Sequence, residues 1–288
     1  VFFGKTGSDT IYGFRYFRNS AQEAKQASWF KWKFNRPIKY HFCIEDFYYF
    51  LDEDNFLQSI NFIQSDDDPS ITIDDISYLV HLDNYVEITG GSYDNSSNKT
   101  TYTHGSGGTL FDWQSDVGTP NGDLVVLSTG TSCGGTYFPT TVTGTGTSFT
   151  IDGDSTGSGT EYIGYLYCMQ VDFPRIYRTQ QQGQSLRSDI NSRLTVHRVK
   201  LNFGKIGLYE TTLTREGKDP YTEVWESSPA GQYLVGNAPY LEEEIRDIPV
   251  YEKNENVDIT LKSCHPAPAV LHSMAWEGDY SPMHYQRA

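Results

Sequence analysis

The sequence predicts a mostly β chain, with propeller-type strands on the N-terminal side followed by antiparallel β-sheet domains. Three observations carry this reading. Aromatic residues make up 15% of the 288, with 21 Tyr and 16 Phe, types that suit a pleated, half-buried surface. Apolar and polar positions alternate in short runs, the period-two signature of a strand. Gly, Ser, Thr and Asn gather between those runs, where tight turns use them. Helical periodicity is scarce, and a short turn around 21–26 is its best candidate. Breaks in the pattern divide the chain into residues 1–65, read as the C-terminal part of a propeller-like region; 66–185, a β-rich domain with Gly/Thr-rich loops; and 186–288, a C-terminal β domain.

In chain order, TIYGFRYF (10–17) puts Tyr12, Phe14 and Tyr16 on one face. A polar connector leads to ASWFKWKF (27–34), where Phe30, Trp32 and Phe34 share one parity and Trp29, Lys31 and Lys33 the other. The pair reads as a hairpin with a long loop, and Asn35-Arg36-Pro37 reads as the end of its second strand. Residues 38–62 hold two or three short aromatic strands, with a tight turn at Asp52-Glu53-Asp54-Asn55. Short strands and acidic turns at this interval suit a propeller blade or a meander, although no internal repeat is visible. QSDDDPS (64–70) reads as a linker. DISYLVHLDNYVEI (75–88) places Tyr78, Val80, Leu82 and Asn84 on one parity. Residues 89–109 read as a loop. LVVLS, TSFTID and YIGYLYCMQV then read as strands between Gly-rich turns, with Phe138, Val142, Phe149 and Ile151 as anchors. TQQQGQS (179–185) reads as a second linker. Beyond it, LTVHRVKLNF puts Val199, Leu201 and Phe203 on one face, and GLYETTLTR and VDITLK repeat the alternation.

The net charge of -15 is unevenly spread. Residues 1–44 hold eight Lys/Arg against two Asp/Glu, and 45–174 hold only Lys99 against twenty acids. Residues 175–218 are basic again, nine against three, and 219–288 are acidic, four against twelve. A chain this acidic is poorly suited to gripping nucleic acid, because phosphate binding rests on Lys and Arg. It could still surround DNA without holding it. The basic segment 175–218 could instead pair with acidic neighbours between subunits, which nominates Arg187, Arg193 and Arg198 as subunit-interface residues. No apolar run approaches the roughly 18 residues of a transmembrane helix, and no signal peptide is visible. The chain opens on Val1-Phe2-Phe3, which reads like the middle of a strand, so a longer parent protein is expected.

Catalytic candidates are weak. Acidic runs such as Asp66-Asp67-Asp68 and Glu242-Glu243-Glu244 sit beside turn residues and point outward, unlike the converging carboxylates of a glycosidase. Cys264 and His265 are neighbours, and neighbours on a strand face opposite ways. His41 and Cys43 share a face but lack the further ligands that zinc requires. DGDSTGSG (152–159) opens like a calcium loop, yet position twelve is Ile163 rather than Glu, so a β-turn is the better reading. The spacing of Cys43, Cys133, Cys168 and Cys264 fits no zinc motif, and buried free thiols are expected. No catalytic residue, cofactor or metal is assigned.

The ordered set of segments resembles a known family. YGFRYFRNSAQEAKQASWFKWKFNRPI, FYYFLDEDNFLQSINF, ISYLVHLDNYV, GTEYIGYLYCMQVDFPRIYR, LTVHRVKLNFGKIGLYETTLTREG and the C-terminal stretch through AWEGDY are similar to the C-terminal portion of the tail nozzle proteins, the tail tubular protein B family, of short-tailed autographivirus-type phages. The likeness is weakest over 89–150, and the family's N-terminal region has no counterpart here. It implies a non-enzymatic structural protein at the tip of the virion tail, forming a homo-oligomeric ring of six. Its implied partners are the adaptor ring (tail tubular protein A), the tail fibre protein and genomic DNA, which passes through without sequence-specific binding. In this reading Phe30, Trp32 and Phe34 pack inside a sheet, while Lys31 and Lys33 face water. The acidic middle would contribute to the DNA channel. The alternatives are an extracellular carbohydrate-binding module or glycan hydrolase, and a secreted propeller adhesin.

Overall fold

A computed structural model describes residues 1–18, 24–63, 68–73, 75–103, 124–129, 135, 137–143, 148–156, 161–182, 185–190, 192–225 and 240–282. Regular structure among them is strand throughout, save one 3-10 turn at Asn254–Asn256. The chain forms two compact units, Val1–Asp68 and Pro69–Ala288.

The first unit is one antiparallel meander of five strands: β1 (Phe2–Gly4), β2 (Ser8–Arg18), β3 (Ala24–Ile44), β4 (Phe47–Asp52) and β5 (Leu57–Asn61). Two expectations fail here. Ala24–Gln26 are extended rather than helical, and residues 21–23 lie outside the described residues. Pro37 does not end its strand, since β3 runs on through it for 21 residues. The register explains why. Thr10 faces Lys33 while Ser8 faces Ile38, so β3 bulges outward between those pairs. A bulge has no ladder bond to lose, which makes it one of the few places in a sheet that tolerate proline. The Pro37 carbonyl accepts a hydrogen bond from the Glu53 amide at 3.0 Å. A second irregularity, where Ile38 faces Asp52 but Tyr40 faces Leu51, flips the parity of β3: Trp32, Phe34 and Ile38 turn to the core before it, and His41 lies opposite Phe50 after it. The turn at 52–55 is present. The buried Asp52 carboxylate accepts from the Phe56 amide at 2.9 Å, and Asn55 adopts φ 68°.

The second unit begins with the hairpin β6 (Ser70–Ile73) and β7 (Ile76–Leu79), followed by β8 (Asp83–Ile88). Residues 89–103, expected as loop, contain a further hairpin, β9 (Ser92–Asp94) and β10 (Lys99–Thr103); 104–109 lie outside the described residues. The Asp94 carboxylate ties the turn by accepting from Ser96 and Ser97. Next come β11 (Leu124–Ser128), β12 (Tyr137–Pro139), β13 (Thr141–Thr143), β14 (Ser148–Asp152) and β15 (Glu161–Tyr165). They form two sheets, ordered β12-β11-β15-β8 and β13-β14-β10-β9. Strand β11 is buried at all five positions. Leu124 and Val126 pack with Tyr102, Phe149 and Ile151 on one side, while Val125 and Leu127 pack with Ile71, Tyr78, Val80 and Leu82 on the other. A strand covered on both faces reads as a continuous apolar run, and LVVLS is one. Phe138 packs against this core as expected; the Val142 side chain lies outside the described residues.

The remaining strands are β16 (Met169–Asp172), β17 (Thr179–Gln182), β18 (Ser185–Ser188), β19 (Arg193–Ile206), β20 (Tyr209–Arg215), β21 (Tyr221–Trp225), β22 (Glu244–Lys253), β23 (Val257–Ser263) and β24 (Ala269–Ser281). Strands β17 and β18 pair as a hairpin, with Gln182 opposite Ser185, where a linker was expected. Gln-rich composition hid a strand pair whose partner lies just along the chain. A sheet ordered β16-β23-β20-β21 and another ordered β22-β19-β24 share one core, in which Val199, Leu201 and Phe203 meet Ile259, Leu261 and Tyr209.

Cys168 and Cys264 form a disulfide, correcting the expectation of free thiols; Cys43 is free and exposed, and Cys133 lies outside the described residues. The bond sits one step beyond the first β16–β23 pair, Met169 opposite Ser263, and so pins an edge strand. Sequence spacing could not show this, because the partners are 96 residues apart. Cross-linking a loop of that length restricts the unfolded chain by an amount commonly about 2–4 kcal/mol. Reduction, or the double substitution C168S/C264S, is therefore expected to lower the melting temperature of this unit by roughly 5–15 °C. Unchanged calorimetric unfolding under reducing conditions would contradict it.

Candidate assembly surfaces

Among the described residues, no three His, Cys, Asp or Glu side chains gather to hold a metal ion. The sequence candidates for chemistry disperse into structural roles. Cys264 is consumed by the disulfide. Glu244 accepts from the Tyr209 hydroxyl at 3.2 Å and pairs with Arg246. Asp154 closes its turn by accepting from the Thr156 amide at 3.0 Å; residues 157–159 of that stretch, and Asp66 and Asp67, lie outside the described residues.

His265 is buried. Its Nδ1 accepts from the Ala267 amide at 3.0 Å, and its ring stands edge-on to Tyr137 at 4.9 Å. Burial pushes its pKa down to about 4, because the charged imidazolium would be stripped of water. The unfolded chain binds that proton at the ordinary histidine value of about 6.5, so stability rises with pH between about 4 and 6.5 and is fully present above. H265F keeps an aromatic ring beside Tyr137. It is expected to remove part of the acid sensitivity, of order 3 kcal/mol across that window. An unchanged stability–pH profile in the variant would contradict the assignment.

What remains is surface, and two patches stand out. On the outer face of the C-terminal three-stranded sheet, charges form a cross-strand ladder. Arg198 reaches Glu277 at 3.1 Å and Asp247 at 3.7 Å, and Lys200 reaches Glu277 at 2.9 Å. The Lys200 hydrogen bond, with the nearby cations, holds the Glu277 carboxyl below its ordinary range. Of the three nominated arginines, Arg198 is thus engaged within its own chain. Arg193 is exposed on the same strand and makes no ion pair among the described residues, and the Arg187 side chain lies outside them.

The second patch is in the N-terminal unit. One face of its sheet is the core: Trp32 stacks on Phe2 at 5.2 Å and meets Tyr48 at 5.4 Å, and Phe34 meets Phe50 at 4.5 Å. Gly13 lies directly opposite Phe30, whose ring occupies the space a Cβ would need, 2.1 Å away. The reading of ASWFKWKF holds: Phe30, Trp32 and Phe34 turn inward, and Lys31 and Lys33 outward. The other face is also aromatic. Trp29, 64% exposed, meets Phe14 at 4.8 Å and Phe3 at 5.6 Å. Beyond the bulge, Phe42 stacks on Tyr49 at 5.2 Å, beside exposed Ile44 and Leu57. Sequence reasoning grouped Tyr12, Phe14 and Tyr16 correctly but missed that theirs is the outer face. The signal was present in the opposite parity of Trp29 and Trp32.

Among the described residues the chain is built of strands, and its N-terminal unit turns an aromatic sheet face outward, the kind of exposed apolar surface that marks a contact with other proteins. Comparison with protein families matches residues 1–287 to the bacteriophage nozzle proteins. The chain belongs to this family and is a structural component of the virion tail. No curated protein matches it.

The two faces of the N-terminal sheet separate in their effects on stability. W32A, in the core, is expected to destabilise this unit by about 3–5 kcal/mol. W29A, on the outer face, is expected to cost under about 1 kcal/mol in the isolated subunit. Equal losses in denaturant melts would contradict the assignment of faces.

Proposed function

We propose that the chain is one subunit of a closed ring, a tail nozzle of six copies, through which genomic DNA leaves the particle. In this reading it acts by assembly and passage and catalyses no reaction. The adaptor ring, tail tubular protein A, sits above it, and tail fibre protein attaches to it. The observation that carries the proposal is the family match along nearly the whole chain, residues 1–287. One feature supports it. Acidic side chains such as Asp94 and Asp154 are exposed, so a surface contributed by residues 45–174 would repel phosphate and keep DNA moving.

Light scattering and negative-stain imaging of the purified full-length protein test the reading. A six-fold ring with a central hole is expected, and a stable monomer at high concentration would contradict it. Charge reversal at Arg187, Arg193 and Arg198 together is expected to weaken ring formation at low salt, where exposed charges act furthest. Arg193 should contribute most, because Arg198 is already paired within its chain. Unaltered assembly in both low and high salt would remove these arginines from the interface.

A further inference from the structure

The outer face of the N-terminal sheet carries two apolar patches with opposite charge at their rims. The first centres on Trp29, packed with Phe14 and Phe3. Lys31 and Lys33 follow it at alternate positions on β3 and so stand on the same face, about 7 and 14 Å along the strand. Both are exposed, and neither makes an ion pair among the described residues. The second patch centres on Phe42, packed with Tyr49, with exposed Ile44 and Phe47 at the end of the hairpin. Glu45 and Asp46 form the tip of that hairpin, exposed and likewise without an ion pair among the described residues.

Exposed apolar patches rimmed by polar groups are the usual mark of a protein contact. Charge decides the occupant. Like patch against like patch would set lysines against lysines or acids against acids, which is unfavourable. Setting the first patch against the second places Lys31 and Lys33 opposite Glu45 and Asp46, with aromatic rings between. We propose that these two patches form a head-to-tail contact between copies of the chain, the Trp29 patch of one seated on the Phe42 patch of the next. Repeated from copy to copy, such a contact is heterologous, and it generates a ring when the rotation closes. The inference rests on the ring reading above and assigns it a surface.

The test is a charge swap in the full-length protein, read by light scattering against concentration, with circular dichroism confirming the fold of each variant. K31E/K33E and E45K/D46K are each expected to raise the concentration needed for assembly at least tenfold at low salt. The fourfold variant carrying both pairs is expected to recover most of that loss, since the charges face each other again with signs exchanged. Double variants that assemble like the unaltered protein, or a fourfold variant no better than either, would overturn the contact while leaving the ring intact. An unaltered protein that never assembles would overturn the ring reading and this contact with it.

Discussion

A pleated strand sends alternate side chains to opposite faces, and a sheet is stable only where each apolar face finds cover. In residues 1–68 the inner face is covered by the curl of the sheet itself. Phe2 at the first strand stacks on Phe62, just past the last, at 5.6 Å, and on Trp32 between them. Among the described residues the outer face has no second layer within the unit, yet it carries Phe3, Tyr12, Trp29, Tyr40, Phe42 and Leu57 in exposed positions. A single-layer unit with aromatic residues on both sides is complete only when something else lies against it. That constraint turns a statement about packing into one about assembly.

The larger unit meets the same requirement internally. Strand β11 is enclosed from both sides, and the two C-terminal sheets bury Leu201, Phe203 and Leu261 between them. Its outward faces mix polar groups, as in the ladder of Arg198, Lys200, Asp247 and Glu277, with single exposed apolar residues such as Ile245 and Tyr251. Exposed ion pairs of this kind contribute little to stability, typically under about 1 kcal/mol each. Their effect is to occupy charges that would otherwise be open to a partner, which separates Arg198 from Arg193 as an interface candidate.

How much of this was legible in the sequence depended on how local the cause was. Period-two runs located β2, β19 and β23, a continuous apolar run located β11, and the inward side of ASWFKWKF followed from its parity. Three features were hidden because a distant or polar partner defines them. Pro37 reads as a stop unless the bulge that shelters it is known, and that bulge is set by pairing with Ser8 and Thr10. The hairpins at 92–103 and 179–188 lack apolar alternation, so composition made them look like loops. The Cys168–Cys264 bond joins strands that meet only in the fold. The outer aromatic face was visible residue by residue, but deciding that it is uncovered needed the position of every other strand of the unit.

The most direct measurement is the solvent reactivity of Trp29 in the free subunit and in the intact virion tail, by hydroxyl-radical footprinting with peptide mass analysis. Trp32 is the internal control, since it packs in the core in both states. The account expects Trp29 to be oxidised readily in the subunit and protected several-fold in the tail, with Trp32 slow in both. A Trp29 that stays equally reactive in the assembled tail would contradict the claim that assembly covers this face.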